Sequence, residues 1–319
     1  MKSVFALILL GSILILQNRV EPVYSVRVSG DVSDFIYENG KLYVATMQAS
    51  IEFIDLASKK KLNRIVFNKI TDFQENEINP RVYSIDKLPG KNKILAVLQA
   101  SNGYQDVYLI ENNQKTKIKD AFKDCLMIKR AKFISDDTVL LGLFSDEIIL
   151  WSISKKKQIY KKQISSSSLS DYTLDKSRKL IITCDESGAS YLISAETGNT
   201  IVKFEGEIKD RAFSVDYQNL TFISGGKDRN VAVYFLQGRK SYSIKSDFFV
   251  LSVALSPSGK LGAYTGNETG DVIVFNIKTK QKLYTLAGQN ENISKIYFID
   301  EKTIITSSNN EFIKVWKLN

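Results

Sequence analysis

The chain has 319 residues, 44% of them hydrophobic and 25% charged, with a formal net charge of +9 and not one histidine. That absence excludes a Ser-His-Asp or Cys-His nucleophile, a His-ligated zinc, copper or non-haem iron site, and the His axial ligand of a c-type haem. The surplus lysines are scattered through turns such as "SKKKL" and "SKKKQ"; without a basic helix or an aromatic-interleaved basic stripe they read as solvated charge, not as a nucleic-acid footprint.

In chain order, the first element is Lys2 followed by the apolar run Val4 to Leu16, broken only by Gly11 and Ser12. A positive start and a 13-residue apolar core have the dimensions of a secretory signal and fall short of a membrane span. Residues 1–20 are therefore expected to be a signal peptide, or else an uncleaved N-terminal anchor, and no cysteine follows to suggest a lipoprotein. The protein is expected in the periplasm, touching a membrane only through that segment if it is retained.

From Val23 onward a repeat governs the sequence. One strand-ending position recurs at Ile54, Ile110, Trp151, Ile193, Tyr234, Phe275 and Trp316, at spacings of 56, 41, 42, 41, 41 and 41. A fixed period near 41 residues signals a repeat architecture. Within a unit, short apolar or alternating runs are separated by Gly, Asn, Asp and Ser: "KLGAYTG", "NETG", "DVIVFNI", "KTK", "QKLYTLAG" in the sixth. These read as four strands per unit, and four strands at this period make a β-propeller blade.

The phrases "LSPSGKL" (255–261), "SAETG" (194–198) and "IKVWKL" (313–318) resemble the WD-repeat family. The resemblance implies an all-β, seven-bladed β-propeller over residues 23–319, a single domain and a monomer. The pattern is degenerate: the family's Gly-His falls at Gly206-Glu207 and Gly288-Gln289, and its Asp after Trp survives only as Asp55. Without histidine the family's His/Asp/Ser hydrogen-bond network is not expected to form, which leaves the apolar faces between blades to carry stability.

Two irregularities are informative. The seventh unit stops after its third strand, and "VYSVRVSG" (23–30) is an unpaired strand at the other end; pairing the two would close the ring and remove both edges. The 56-residue spacing places an insertion at Asn68 to Arg81, "NKITDFQENEINPR", where the outer strand of one blade crosses to the inner strand of the next. It is either a binding element or tolerated drift.

No convergent catalytic group stands out. Asp146, Glu147, Asp185, Glu186, Asp228, Glu268 and Asp271 all fall in the turns between second and third strands, where acidic residues form turns anyway. No calcium loop or phosphate-binding glycine loop is present, and neither a metal nor a cofactor is expected. Cys125 and Cys184 are read as two separate packed thiols, with a single disulfide as the alternative.

Recognition fits better than catalysis. The rim of crossings and second-to-third-strand turns gathers Arg81, Arg130, Asp171, Tyr172, Asp210, Arg211, Asp228 and Arg229, and Arg and Tyr are common interface anchors. Asp210 with Arg211 and Asp228 with Arg229 would serve equally as rim ion pairs, worth little. The stretches "VSGDVSDFIYENGKLYVAT", "SPSGKLGAY" and "DRNVAVY" also look like the WD-repeat accessory proteins encoded with periplasmic nitrate reductases of epsilon-proteobacteria. That likeness implies a non-catalytic interaction protein whose partners are components of the nitrate reductase, aiding assembly or electron transfer. The alternative is a propeller enzyme or small-ligand sensor working at the central mouth.

Overall fold

In the second unit, successive residues of one strand serve different neighbours. Along Lys93–Gln99, Ile94, Ala96 and Leu98 pack with Tyr43, Ile51 and Ile65 of the unit before. Leu95 and Val97 pack with Phe133, Val139 and Leu141 of the unit after. Side chains alternate across a strand, so a strand that is apolar on both faces must be sandwiched between two other sheets. Repeated seven times, that requirement closes a ring.

The computed structural model describes residues 18–319, and the expected leader falls mainly on residues 1–17, outside the described residues. Seven four-stranded antiparallel sheets follow in order. Blade 1 is built from Val32–Glu38, Lys41–Thr46, Ser50–Asp55 and Lys60–Val66, and blades 2 to 6 repeat it. Each of the seven boundaries between blades holds its own apolar cluster. The seven repeat positions all lie on third strands. Six are buried; Trp151 is half-buried, with the Lys119 ammonium 3.7 Å from its ring centroid.

Blade 7 takes three strands from the end of the sequence, Ile293–Phe298, Thr303–Ser308 and Phe312–Lys317, and its outer strand from the beginning, Tyr24–Arg27. Tyr24 pairs with Val315 and Arg27 with Phe312, antiparallel, as the unpaired "VYSVRVSG" led one to expect. Asn18–Val20 adds a parallel fifth strand to blade 6 against Tyr284 to Leu286, so the last three residues of the expected 1–20 segment join the ring.

One expectation is corrected. At the Gly288-Gln289 position glutamine stands in for histidine and a network does form. Gln289 Nε2 donates to Ser308 Oγ (2.7 Å), Thr306 Oγ1 donates to Gln289 Oε1 (2.8 Å), and Trp316 Nε1 donates to Thr306 Oγ1 (2.8 Å), all buried. The amide uses one N–H donor and its carbonyl acceptor here, the pair of roles a neutral imidazole also supplies, so loss of histidine did not cost blade 7 its polar lock.

The insertion folds as a small hairpin, Ile70–Thr71 with Glu77–Ile78. Asp72 Oδ1 accepts from the backbone of Gln74 and Asn76 (2.8 and 2.9 Å), fixing the turn that carries Phe73.

Candidate functional site

Strand order puts the blade-to-blade crossings and the second-to-third-strand turns on one face of the ring, and the remaining turns on the other. Among the described residues, the strongly exposed phenylalanines are Phe73 (82%), Phe122 (54%), Phe144 (42%) and Phe249 (39%). Phe73, Phe122 and Phe249 lie in crossings and Phe144 in a second-to-third-strand turn, so all four share the first face, with exposed Met127 beside them. The opposite face shows Leu220 in its turn between Ala212–Gln218 and Thr221–Gly226. Between the insertion and blade 2 the first face is hollowed into a groove of about 460 Å³, lined by Ile70, Tyr108, Lys115, Lys117 and Phe122 among others. A second hollow of about 270 Å³ lies beside it, between Tyr83, Lys129 and Phe144.

The predicted rim residues divide into three groups. Arg81, Asp210 and Arg229 are exposed on the crossing face, with Arg211 and Asp228 half-buried there. The expected ion pairs are re-drawn. Arg211 pairs with Glu186 across the blade 4–5 boundary (3.1 Å) and stacks over Phe213, while Asp210 lies near Lys227 (3.8 Å). Asp228 spends its carboxylate on the Lys209 backbone and the Asn230 amide (2.8 and 2.6 Å), not on Arg229. Arg130 and Asp171 form the second group, inside the central channel, paired with each other at 3.0 Å.

Tyr172 stands alone, and its expected place on the rim is corrected. Its side chain is 2% exposed, packed at the blade 3–4 boundary, with its hydroxyl donating to Leu140 O (3.0 Å). Gly142 is there to admit it: a Cβ at that position would meet the Tyr172 ring at 2.7 Å. Two other readings change as well. Both cysteines are free, but Cys125 is exposed in a crossing instead of packed, and Cys184 is buried. Asp146 and Asp185 do sit at their turns, Asp185 Oδ1 accepting from the Ser187 N–H at 2.9 Å, but both are fully buried and not the surface turn formers of the sequence reading.

The channel carries a constellation that the sequence reading largely passed over. Inner-strand carboxylates reach to the next blade and accept a backbone N–H: Asp34 from Ile85 (3.1 Å), Asp86 from Phe133 (2.9 Å), Asp171 from Val215 (3.3 Å) and Asp216 from Leu255 (2.7 Å). Register shifts at the entrances of the inner strands aim several of these groups inward, as between Val32 and Asp34 and between Leu169 and Asp171; bulges commonly re-aim a side chain in this way. The signal was there to be read, since "VSDF", "YSID", "LSDY" and "FSVD" set an acid into strands whose neighbours are apolar.

Cations answer these acids. Lys295 donates to Asp34 (2.7 Å), Arg130 lies 3.9 Å from the same carboxylate, and Arg178 donates to Asp86 (2.8 Å) from a turn at the far end. Burial alone would raise the pKa of Asp34, but Lys295 and Arg130 outweigh it and hold it below the ordinary carboxylate value. Asp216, with no such partner, is pushed by burial up to about 6. Burial lowers the pKa of Lys132, with Asp86 opposing that shift. Among the described residues no group of three metal-ligating side chains converges.

No protein-family model matches the chain. It is similar to Protein SUPPRESSOR OF PHYA-105 1 of Arabidopsis thaliana, 28% identical over 148 residues. That match takes in 44% of this chain and 14% of the plant protein, so the chain corresponds to a small part of that relative's length. Ring, register and a likeness of this kind place the chain among seven-bladed β-propellers that resemble WD-repeat proteins.

Proposed function

We propose that the protein is a non-catalytic interaction scaffold which docks a protein partner on its crossing face. The observation that carries this reading is the gathering of Phe73, Phe122, Phe144 and Phe249 on that one face. Exposed aromatic side chains on a rigid ring are costly to leave in water and are the residue types that anchor interfaces. The groove between insertion and blade 2 mixes charges, with Lys117 and Lys123 paired to Asp106 and Asp120 beside Ile70, Tyr108 and Phe122, which suits a partner segment that is apolar with a polar margin.

The narrower reading, an accessory of periplasmic nitrate reductase acting after export, rests on the sequence phrases alone. Both are tested together by affinity capture with the wild-type ring, a Phe122→Ser/Phe144→Ser variant and a Leu220→Ser control on the opposite face. The scaffold reading expects a partner held by wild type and control and lost by the double variant. A partner held equally by all three defeats the assignment of the face, and a partner set without nitrate reductase components defeats the narrower role.

A further inference from the structure

The ion pairs of the central channel leave two charged groups over. Asp34 is matched by Lys295 and Arg130, Asp171 by Arg130, and Asp86 by Arg178. Lys132 remains. Among the described residues its ammonium has no hydrogen-bond acceptor; it stands 6.0 Å from the Tyr172 ring centroid and makes only a long ion pair, 4.0 Å, to Asp86 Oδ1, on a group Arg178 already holds. Two blades further round, Asp216 accepts the Leu255 N–H, but no Lys or Arg nitrogen forms an ion pair with it among the described residues.

Both side chains line the same cavity, about 230 Å³ between the inner strands. Burial weakens the hold of Lys132 on its proton and strengthens that of Asp216, so each charge is held at a cost that an opposite charge would relieve. The channel as a whole is balanced. Its lining carries four carboxylates, Asp34, Asp86, Asp171 and Asp216, and three cations, Arg130, Lys132 and Lys295, and Arg178 completes the count from outside the lining by pairing with Asp86. A simple anion would satisfy Lys132 and be repelled by the carboxylates around it; a simple cation would suffer the reverse. A molecule bearing one charge of each sign satisfies both leftover groups and leaves the balance intact.

We propose that the central channel binds a small zwitterion of the α-amino acid class, its carboxylate seated on Lys132 and its ammonium on Asp216. The volume suits a ligand of that size, and the site lies apart from the aromatic side chains of the crossing face. Calorimetry and thermal melts of the ring at pH 7.5 test it with the standard L-α-amino acids, each at about 10 mM, which saturates any Kd near a millimolar. Acetate, phosphate and methylammonium serve as single-charge probes.

At least one amino acid is expected to raise the melting midpoint and release binding heat where the single-charge probes do not. Lys132→Met and Asp216→Asn are each expected to weaken that amino acid by about tenfold or more, the loss of one charge-assisted contact. Asp216→Asn keeps an oxygen for the Leu255 N–H, so it folds whether or not it binds. Stabilisation by acetate or phosphate as strong as by the best amino acid would make the channel an anion site and overturn the proposal. So would silence across the whole panel, or an affinity that Asp216→Asn leaves unchanged.

Discussion

Trp316 and Gln289 are joined through one hydroxyl: the indole donates to Thr306 Oγ1, which donates to the glutamine oxygen, each at 2.8 Å. The repeat position that closes the seventh blade is thereby tied to the crossing that enters it. Gln289→Leu would strand two buried hydroxyls, Thr306 and Ser308, and is expected to destabilise the ring by about 1–3 kcal/mol, read as a lowered urea midpoint. Gln289→His offers the same donor and acceptor and is expected to recover at least half of that loss. A leucine variant as stable as wild type would show the network to be energetically idle.

Closure of the ring depends on strands from opposite ends of the described chain. Val26 and Val28, both buried at the blade 7–1 boundary, each contribute roughly 1.5–3 kcal/mol by burial, beyond the ladder that Tyr24–Arg27 makes with blade 7. Removing residues 1–29 is expected to lower the melting midpoint by about 10 °C or more and to promote association through the exposed edge of blade 7. A truncated protein that stays monomeric with an unchanged melt would refute this dependence.

The two thiols differ in access. Cys125 is exposed in the crossing into blade 3, whereas Cys184 is buried at the blade 4–5 boundary. An aromatic disulfide reagent is expected to label Cys125 in the native protein and to reach Cys184 only on unfolding, with Cys125→Ser abolishing the native reaction. Absence of any native labelling, with both thiols appearing after reduction, would mean a disulfide and would contradict the separation of the two side chains.

The ring was legible because its cause is periodic. A period of 41 residues, runs apolar on both faces and a terminal strand without a partner are all local statements about burial, and only one closed arrangement of sheets satisfies them. The channel was not legible in the same way. Asp34, Asp86 and Asp216 sit in short strands that look like ordinary alternating strands with one polar misfit, and what they bond to lies in the next blade, some 40 to 50 residues away. Tyr172 was misplaced for a related reason. Type and rim position suggested an anchor, but Gly142, a strand in another blade, makes the space that buries it. The persistence of the blade 7 lock was missed because residue identity was read in place of hydrogen-bond capacity, which Gln289 shares with the histidine it replaces.

The boundary between blades 3 and 4 contains a proton that folding stabilises. Ser165 Oγ lies 2.7 Å from Asp146 Oδ2 and 2.8 Å from Asp185 Oδ2. A hydroxyl has one proton to give, so the second short contact requires a proton on a carboxyl. Burial, and beside it the Asp185 charge, push the Asp146 pKa up to about 7, against the opposing pull of Ser165, so Asp146 holds that proton. An acid whose folded pKa exceeds its unfolded value binds more protons when folded between the two. Its contribution is complete below about pH 4 and is lost as pH rises to about 7, a span worth at most roughly 4 kcal/mol. Asp216, raised to about 6, acts in the same direction, while Asp34, held low by Lys295 and Arg130, acts oppositely and only toward acid. Urea midpoints are therefore expected to fall between pH 5 and pH 8. Asp146→Asn, neutral throughout and able to keep the contact with Ser165, is expected to flatten much of that slope and to exceed wild type in stability at pH 8. A wild-type midpoint that rises over this range, or a slope that the asparagine variant leaves untouched, would remove the proton from Asp146.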